Sequence, residues 1–449
     1  MRLDTVKRYS APVPRYTSYP TAPHFTDEIG ASDHGKWLSE VASSASVSLY
    51  IHLPFCDSLC WFCGCHTKMV RRYEPVKAYL ESLMTEMRFV ARHLTSGARV
   101  RHIHWGGGSP DILCSDDIER LAEATRCRFT VEADGEFAVE IDPRQLEDAK
   151  VAAFVRAGVT RVSIGVQDFD ADVQRAINRE QSFDVTRRAV QGFRDRGVSS
   201  VNIDLVYGLP HQTRRSVGRT LEQIIELDPD RISLFGYAHL PARLARQRMI
   251  PEWALPDTLE RFAQSNRLAN RLVEAGYQRV GLDHFARPGD ALAKAARSGT
   301  LQRNFQGYTT DEADALIGLG ASAIGSFAEG YVQNTVPVAD YQRRIAQDGL
   351  ATVRGYRLSE TDKARAFVIS RLMCELKFPK DELQKRFARQ SVEMIELANR
   401  LVATDQDGLL EADNDGFEVT ERGRAFIRSI CAHFDAHIDT GLALHSSGV

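Results

Sequence analysis

Residues 47–68 read VSLYIHLPFCDSLCWFCGCHTK. The first seven are apolar or β-branched at alternate positions, which predicts a strand over 47–53, and Pro54 ends it. Immediately behind come Cys56, Cys60, Cys63 and Cys65, four of the chain's eight cysteines, within ten residues. A strand that delivers reactive side chains at its C-terminal end is the unit from which the remaining sequence is read.

That unit recurs. Short apolar runs at 100–105, 137–141, 161–166, 199–207 and 231–235 predict five more strands, with 277–283 as a later, antiparallel addition. Between them lie amphipathic stretches such as 76–94 and 256–276, the second closed by a glycine. Strand–helix alternation of this kind gives parallel strands joined by right-handed crossovers. Nearly every strand ends in a polar or small residue suited to chemistry: Cys56, then Gly107 and Ser109, Glu140 and Asp142, Gln167, Asp204, and Tyr237 with His239. Any one of these could be an ordinary loop residue. Six in succession describe the rim of a barrel, closed or partial, so the expected class is α/β, with a doubly wound open sheet as the alternative.

Outside the strand–helix region, residues 1–46 contain PVPRYTSYPTAP, whose four prolines favour an extended N-terminal arm. The barrel is expected over 47–355. Residues 356–449 are helical and charged, and then give a hairpin turned by Asp413-Asn414-Asp415-Gly416, which suggests a winged-helix-like C-terminal domain. Its acidic hairpin would repel phosphate.

The 449 residues are 43% hydrophobic and 26% charged, which suits one large core and a second. With 57 basic and 60 acidic residues the formal charge is -3, so no global field draws the chain to nucleic acid or an anionic membrane. The chain opens without an apolar leader and has no uncharged stretch long enough to span a bilayer, so a cytoplasmic protein with reduced thiols is expected. The scattered Cys114, Cys127, Cys374 and Cys431 are read as buried small hydrophobes.

The C-x3-C-x2-C spacing of Cys56, Cys60 and Cys63 admits three readings. Offsets of four and three would align the thiols on one face of a helix, although Pro54 and Gly64 bracket the segment. Four thiols could hold zinc, although the Cys63-x-Cys65 pair is tight for one ion. Three thiolates on a short loop could also hold three irons of a cubane cluster and leave the fourth open to a substrate or cofactor.

With these residues in view, the chain resembles the radical S-adenosylmethionine enzymes, which implies a partial (β/α)6 barrel in agreement with the strand count, and, among them, the oxygen-independent coproporphyrinogen III oxidases. The blocks that carry the resemblance are PRYTSYPTA, HLPFCDSLCWFCGCHTK, HWGGGSP, VEIDPR, GVQDF, NRE, NIDLVYGLP, YAHLP, DHFARP and NFQGYTT, spread from about Pro14 to Phe434. The resemblance implies that Cys56, Cys60 and Cys63 hold a [4Fe-4S] cluster whose open iron chelates S-adenosyl-L-methionine, with Cys65 nearby and not ligating. Tyr50, Phe62, Gly107, Glu140 and Ile324 would complete that first cofactor site. A second S-adenosyl-L-methionine molecule would contact Gly108, Ser109, Gln167, Arg179, Asp204 and Ala238. Ser109 stands where threonine is common in the family, which keeps the hydroxyl. The glycines of IGLGASAIGS (317–326) imitate a dinucleotide loop, but no framing strand with an acidic partner is read there.

The implied reaction converts the propionates on rings A and B of coproporphyrinogen III to vinyl groups. The products are protoporphyrinogen IX, carbon dioxide, methionine and 5'-deoxyadenosine. An unactivated propionate carbon offers no acidic proton, so a radical must take a hydrogen atom. Arg15, His52, Arg287 and Arg303 lie in family-like motifs and are candidates for the substrate carboxylates, and the arm around Tyr16 and Tyr19 is a candidate lid. A small electron donor such as flavodoxin or ferredoxin is implied, and a monomer is expected. A haem chaperone of the same superfamily is the alternative function; it lacks the Cys65 context and the PRYTSYP arm. A metal-sensing regulator would need a concentrated basic recognition surface, which the sequence does not offer.

Overall fold

The computed structural model describes residues 3–438. Its frame is one twelve-stranded sheet made of β1 (Ser46–Leu53), β2 (Arg99–Gly107), β3 (Thr130–Ile141), β4 (Arg161–Gln167), β5 (Ser200–Tyr207), β6 (Arg231–Gly236), β7 (Gln278–Val280), β8 (His284–Ala286), β9 (Ala315–Leu319), β10 (Ile324–Phe327), β11 (Gly330–Asn334) and β12 (Thr352–Arg357). Their order is β12-β11-β10-β9-β1-β2-β3-β4-β5-β6-β8-β7, so the sheet is open, with β12 and β7 at its two edges. Strands β9, β1, β2, β3, β4, β5 and β6 run parallel. Successive crossovers from β1 to β6 pass through α1 (Glu74–His93), α2 (Ser115–Arg128), α3 (Asp148–Arg156), α4 (Phe183–Arg194) and α5 (Arg214–Glu226), and α6 (Thr258–Glu274) follows β6. This is the partial (β/α)6 arrangement. The six strands expected between 47 and 235 form, five of them within two residues at their ends, while β3 begins at Thr130, seven residues before the expected start.

Alternation along these strands explains the lining of the cavity. In β1 the side chains of Val47, Leu49, Ile51 and Leu53 are fully buried against helices, while Ser48, Tyr50 and His52 face the concave side. In β4 and β5 the same division puts Val162, Ile164, Val201 and Ile203 under the helices and Ser163, Asn202 and Asp204 inside. The concave face is therefore polar. A closed barrel fills its centre with branched apolar side chains; here the centre holds ionic and hydrogen-bonding groups, such as Arg161 and Arg231 beside Glu136.

Three features depart from the sequence reading. The 277–283 run reduces to β7, which joins β6 only through the antiparallel β8. Strand β9, parallel to β1, runs into the glycines of IGLGASAIGS, for which no framing strand is read in the sequence; the antiparallel β10 follows it, so no dinucleotide-binding helix is present there. Cys114 and Cys127 are exposed rather than buried, since one precedes α2 and the other lies on its outer face; Cys374 and Cys431 are buried as expected.

Beyond the sheet, helices Glu360–Glu375 and Lys380–Thr404 pack with a three-stranded antiparallel sheet of Lys377–Pro379, Leu410–Ala412 and Gly416–Val419. The hairpin turn is held by Asp413, whose Oδ1 accepts from the N–H groups of Asp415 and Gly416 at 2.9 and 2.8 Å. This unit has its own core, joined from the other end of the chain by Val6, Tyr16 and Tyr19. Residues 1–46 also include helices Leu3–Arg8 and Ala31–Glu40.

Candidate active site

After β1, Phe55–Cys56 pairs in parallel with Lys68–Met69 and closes the loop of residues 57–67 at its base. The loop is not helical, so the cysteines form no helical stripe. Its backbone is held by two short helices that follow strands of the sheet, Ala171–Ala176 after β4 and Ala245–Met249 after β6: Trp61 N–H donates to the Ile177 carbonyl at 2.9 Å, Asn178 Nδ2 to the Leu59 carbonyl at 2.8 Å, and Gln247 Nε2 to the Phe62 carbonyl at 2.9 Å. His52 Nε2 lies 3.2 Å from the His66 carbonyl. Loop conformation is thus imposed by groups that are distant in sequence.

Cys56, Cys60, Cys63 and Cys65 line one wall of a cavity of about 480 Å³. Phe62, Gly107, Gly108, Ser109 and Glu140 form the next part of its lining, and Gln167, Arg179, Asp204 and Ala238 the far side. Twelve of the fourteen sequence-derived site residues therefore meet at one cavity. Tyr50 and Ile324 stand behind it. Tyr50 pairs with Gly318 on β9, and a Cβ on Gly318 would lie 2.4 Å from the Ile324 carbonyl oxygen, so both belong to the supporting wall.

The lining suits a bulky, charged cofactor. Gly107 has φ of 99°, and a Cβ there would overlap the His52 ring at 2.2 Å; a Cβ on Gly108 would meet the Phe55 carbonyl oxygen at 2.3 Å. Only glycine lets this strand end approach so closely. Glu140 Oε2 accepts from the Gly107 N–H at 3.0 Å, and its Oε1 lies 3.2 Å from His104 Nε2. Burial pushes the Glu140 carboxyl up, but His104 and the Gly107 N–H outweigh it and hold the group below its ordinary range. A half-exposed anion lining the cavity is suited to an ammonium or to hydroxyl groups.

Across the cavity, Gln167 has φ of 70° at a register break between β4 and β5, which turns it off the strand. Asp204 is raised, chiefly by burial, and accepts from Ser163 Oγ at 2.9 Å and Asn202 Nδ2 at 2.8 Å. Arg179 donates to the Gly165 carbonyl at 2.6 Å and to Asp142 at 3.1 Å, and its Nη1 reaches Cys60 Sγ at 3.5 Å. Arg144 approaches the same sulfur at 3.7 Å. Arg144 was not singled out in the sequence. Among the thiols, Cys65 hydrogen-bonds Cys63, which lowers Cys63 to about 6, while burial pushes Cys56 up to about 12. Among the described residues no three His, Cys, Asp or Glu side chains are grouped so as to hold a metal ion. The thiols are instead distributed over a wall, with cavity space in front of them.

A second cavity of about 600 Å³ adjoins the first and shares Arg15, Cys65, Phe235 and Gly236 with it. Its lining combines aromatic rings, among them Phe262, Phe285 and Phe305, with seven arginines against Asp283 and Glu421. Arg261 Nε, Arg279 Nε and Arg303 Nη1 are buried without a hydrogen-bond partner. Buried donors left open in this way suit anionic oxygen atoms. Of the four candidate carboxylate contacts, Arg15 and Arg303 line this cavity. His52 lies behind Gly107, and Arg287 stacks 4.0 Å from the Tyr277 ring centroid, so neither faces it.

Comparisons with known proteins agree with this geometry. A profile described as the radical SAM superfamily matches residues 50–224, and one described as the HemN C-terminal domain matches residues 358–426. The strand–helix frame and thiol-lined cavity are therefore those of a radical S-adenosylmethionine protein. The chain is 47% identical over 450 residues to the oxygen-independent coproporphyrinogen III oxidase of Bradyrhizobium diazoefficiens, covering 100% of both, and 41% identical to that of Paracoccus denitrificans, covering 100% of this chain and 99% of the relative. The solved structure of Escherichia coli coproporphyrinogen III oxidase (HemN) superposes with a TM-score of 0.90 at 38% identity, covering 97% of this chain and 99% of that one. The chain belongs to the oxygen-independent coproporphyrinogen III oxidase family.

Proposed function

We propose that this protein is an enzyme that oxidatively decarboxylates the ring A and B propionates of coproporphyrinogen III to vinyl groups without oxygen, giving protoporphyrinogen IX for haem synthesis. The observation that carries this reading is the junction of the two cavities: a thiol- and glycine-lined cofactor space opens beside an aromatic, arginine-rich space. Cys56, Cys60 and Cys63 would hold the [4Fe-4S] cluster, with Cys65 beside them. When bound, the cluster supplies the electron that splits S-adenosyl-L-methionine and so provides the hydrogen-abstracting radical.

The chain's own residues bind and orient. Glu140, fixed by His104 and the Gly107 N–H, would take the ammonium or ribose hydroxyls of the first S-adenosyl-L-methionine. Gln167, Arg179 and Asp204 would face a second molecule of the same cofactor. Arginines of the adjoining cavity would pair with the four substrate carboxylates, while its rings cover the macrocycle and exclude water. In this reading residues 47–355 form the catalytic domain, residues 1–46 an arm, and residues 356–449 a covering domain. The protein would work as a cytoplasmic monomer served by a small electron-carrier protein. Among the described residues no helix is long and apolar enough to cross a membrane.

The test is anaerobic reconstitution with iron and sulfide, followed by S-adenosyl-L-methionine, a reductant and coproporphyrinogen III. Both 5'-deoxyadenosine and vinyl product are expected. Cofactor cleavage without vinyl product would remove the substrate assignment, and haem transfer without turnover would favour a chaperone.

A further inference from the structure

Asp283 stands at the turn between β7 and β8, and the Leu234 N–H donates to its carbonyl at 2.7 Å, which fixes it beside the C-terminal end of β6. Further along β6 lies Gly236, which borders both cavities and whose carbonyl accepts from Arg15 at 2.9 Å. Asp283 therefore lines the arginine-rich cavity close to its border with the cofactor space. Among the described residues its hydrogen-bond partner is His284, whose Nδ1 lies 2.8 Å from Oδ1, and none of the arginines lining the cavity forms an ion pair with it. The His284 ring is buried and meets the rings of Phe235 and Tyr308 edge-on at 5.7 and 5.1 Å, so it holds the carboxylate in one orientation. The Asp283 side chain keeps 19% of its surface accessible, and among the described residues its second oxygen has no hydrogen-bond partner.

Although burial pushes the Asp283 carboxyl up, His284, Arg303 and Arg15 hold it below its ordinary range, so it is an anion that can only accept hydrogen bonds. A cavity built for anions alone gains nothing from such a group, which cancels one cation and repels each incoming carboxylate. Its open oxygen suits a donor that the ligand brings. Coproporphyrinogen III carries carboxylates, methyl groups and four pyrrole N–H groups, and at neutral pH the N–H groups are its hydrogen-bond donors. Its rings are joined through tetrahedral carbons, so they can tilt until several N–H groups point to one side of the macrocycle. In the oxidised, aromatic porphyrin the ring is flat. Two of its nitrogens have lost their hydrogens, and the other two N–H groups lie in the ring plane and point inward.

We propose that Asp283 accepts the pyrrole N–H groups of the substrate and thereby selects the reduced porphyrinogen over the flat porphyrin. The proposal rests on the functional reading and names what the site recognises besides carboxylates. Centred on Asp283, the macrocycle presents one edge to the border at Arg15 and Gly236, so two neighbouring propionates reach toward the thiol-lined cavity. The other two stay among Arg261, Arg279 and Arg303, whose buried N–H groups are open. A site shaped for a substrate N–H rejects an analogue that cannot supply it more strongly than apolar bulk alone allows, because the protein acceptor is then left unpaired.

The test uses the full-length, cluster-loaded protein under anaerobic conditions without reductant, so that ligands bind and do not turn over. Equilibrium dialysis is run with coproporphyrinogen III and, separately, with coproporphyrin III, the porphyrinogen being oxidised afterwards for fluorescence. Wild type should bind the porphyrinogen at least tenfold more tightly than the porphyrin. In Asp283→Ala the porphyrinogen affinity should fall at least tenfold, and in Asp283→Asn, which keeps a carbonyl oxygen, by less. Coproporphyrin III, freed from a repelling charge, should bind both variants as well as wild type or better, which also shows that the cavity is intact. Equal affinities of wild type for the two ligands, or an unchanged porphyrinogen affinity in Asp283→Ala, would overturn the proposal. So would parallel changes for both ligands, since Asp283 would then act only on the arginines. If wild type binds coproporphyrinogen III and gives vinyl product once reduced, the functional reading stands whatever Asp283 does. If wild type binds neither tetrapyrrole, that reading falls and the proposal with it.

Discussion

Cys60 is the thiol with the most organised surroundings. Two guanidinium groups reach its sulfur, Arg179 at 3.5 Å and Arg144 at 3.7 Å, and Asp142 ties both of them, at 3.1 and 2.6 Å. Although burial pushes the Asp142 carboxyl up, Arg179 and Arg144 hold it down at about 2, so the trio keeps its charges across the working range. Cations beside a ligand sulfur favour the reduced, more negative form of a cluster. Arg144→Gln should therefore lower the midpoint potential by roughly 60 mV, the one-electron equivalent of about 1.4 kcal/mol, while Arg144→Lys should keep most of it. A redox titration followed by electron paramagnetic resonance, without S-adenosyl-L-methionine, measures this; equal potentials in wild type and Arg144→Gln would leave Arg144 no role beyond folding. The cysteines and Gly107 were legible in the sequence because their chemistry is local: a spacing, and a strand end that needs no Cβ. Arg144 was not, because its sulfur partner lies 84 residues away and only the two crossovers from β1 through β2 to β3 bring them together.

At the scale of elements, helix α1 fixes the wall behind the site through one buried carboxylate. Glu86 is fully buried and accepts from Gly320 N–H, Asn334 Nδ2 and Tyr341 OH, each at 2.7 Å, so it ties the ends of β9 and β11 to the helix. Burial raises its carboxyl from 4.5 to about 7, against the three hydrogen bonds that lower it. A carboxyl raised in the folded state favours folding while it is protonated. Its contribution is full below the unfolded value and is lost as pH rises through about 7. Wild type should accordingly lose stability between about pH 4.5 and 7.5, by on the order of 3 kcal/mol from this group, and Glu86→Gln should remove most of that slope. Denaturant melts at pH 5 and pH 8 decide it; parallel slopes in the two proteins would count against the assignment. The strands around this anchor were only partly legible. Strands β1, β4 and β5 alternate strongly and could be read, and the same alternation already carried the polar inner face. Strand β9 escaped because Gly318 and the small residues after it erase the period, and β8 because three residues are too few to show one.

Across the whole molecule, the arginine-rich cavity is assembled from the arm, from β7 and from the C-terminal unit, so no single stretch of sequence displays it. Arg279 of β7 illustrates this: its Nε is buried and unpartnered, and Arg424 of the C-terminal unit lines the same space. Arg279→Ala should weaken binding of a tetracarboxylate porphyrin about tenfold, or ~1.4 kcal/mol, in a fluorescence titration, and a dicarboxylate porphyrin less. The arm's part differs from that of a lid. Tyr16 and Tyr19 are each 3% exposed and belong to the C-terminal core, where Tyr16 OH donates to Asp435 at 3.0 Å and Tyr19 OH accepts from the Ala436 N–H at 3.0 Å. Arg303 donates to the carbonyls of Tyr16 and Arg15 at 3.1 Å each, and Arg428 to those of Pro14 and Val13, so the arm is strapped on both sides. Of its residues, Arg15 and Thr17 face the arginine cavity. A lid can be removed and leave the body intact; a strap that completes a core cannot. Tyr16→Ala should therefore cost about 3–5 kcal/mol in unfolding free energy, as an emptied aromatic site does, and deleting residues 1–20 should cost more. If the truncated chain instead melts like wild type and only releases porphyrin faster, the arm is a cover after all and the second core stands without it.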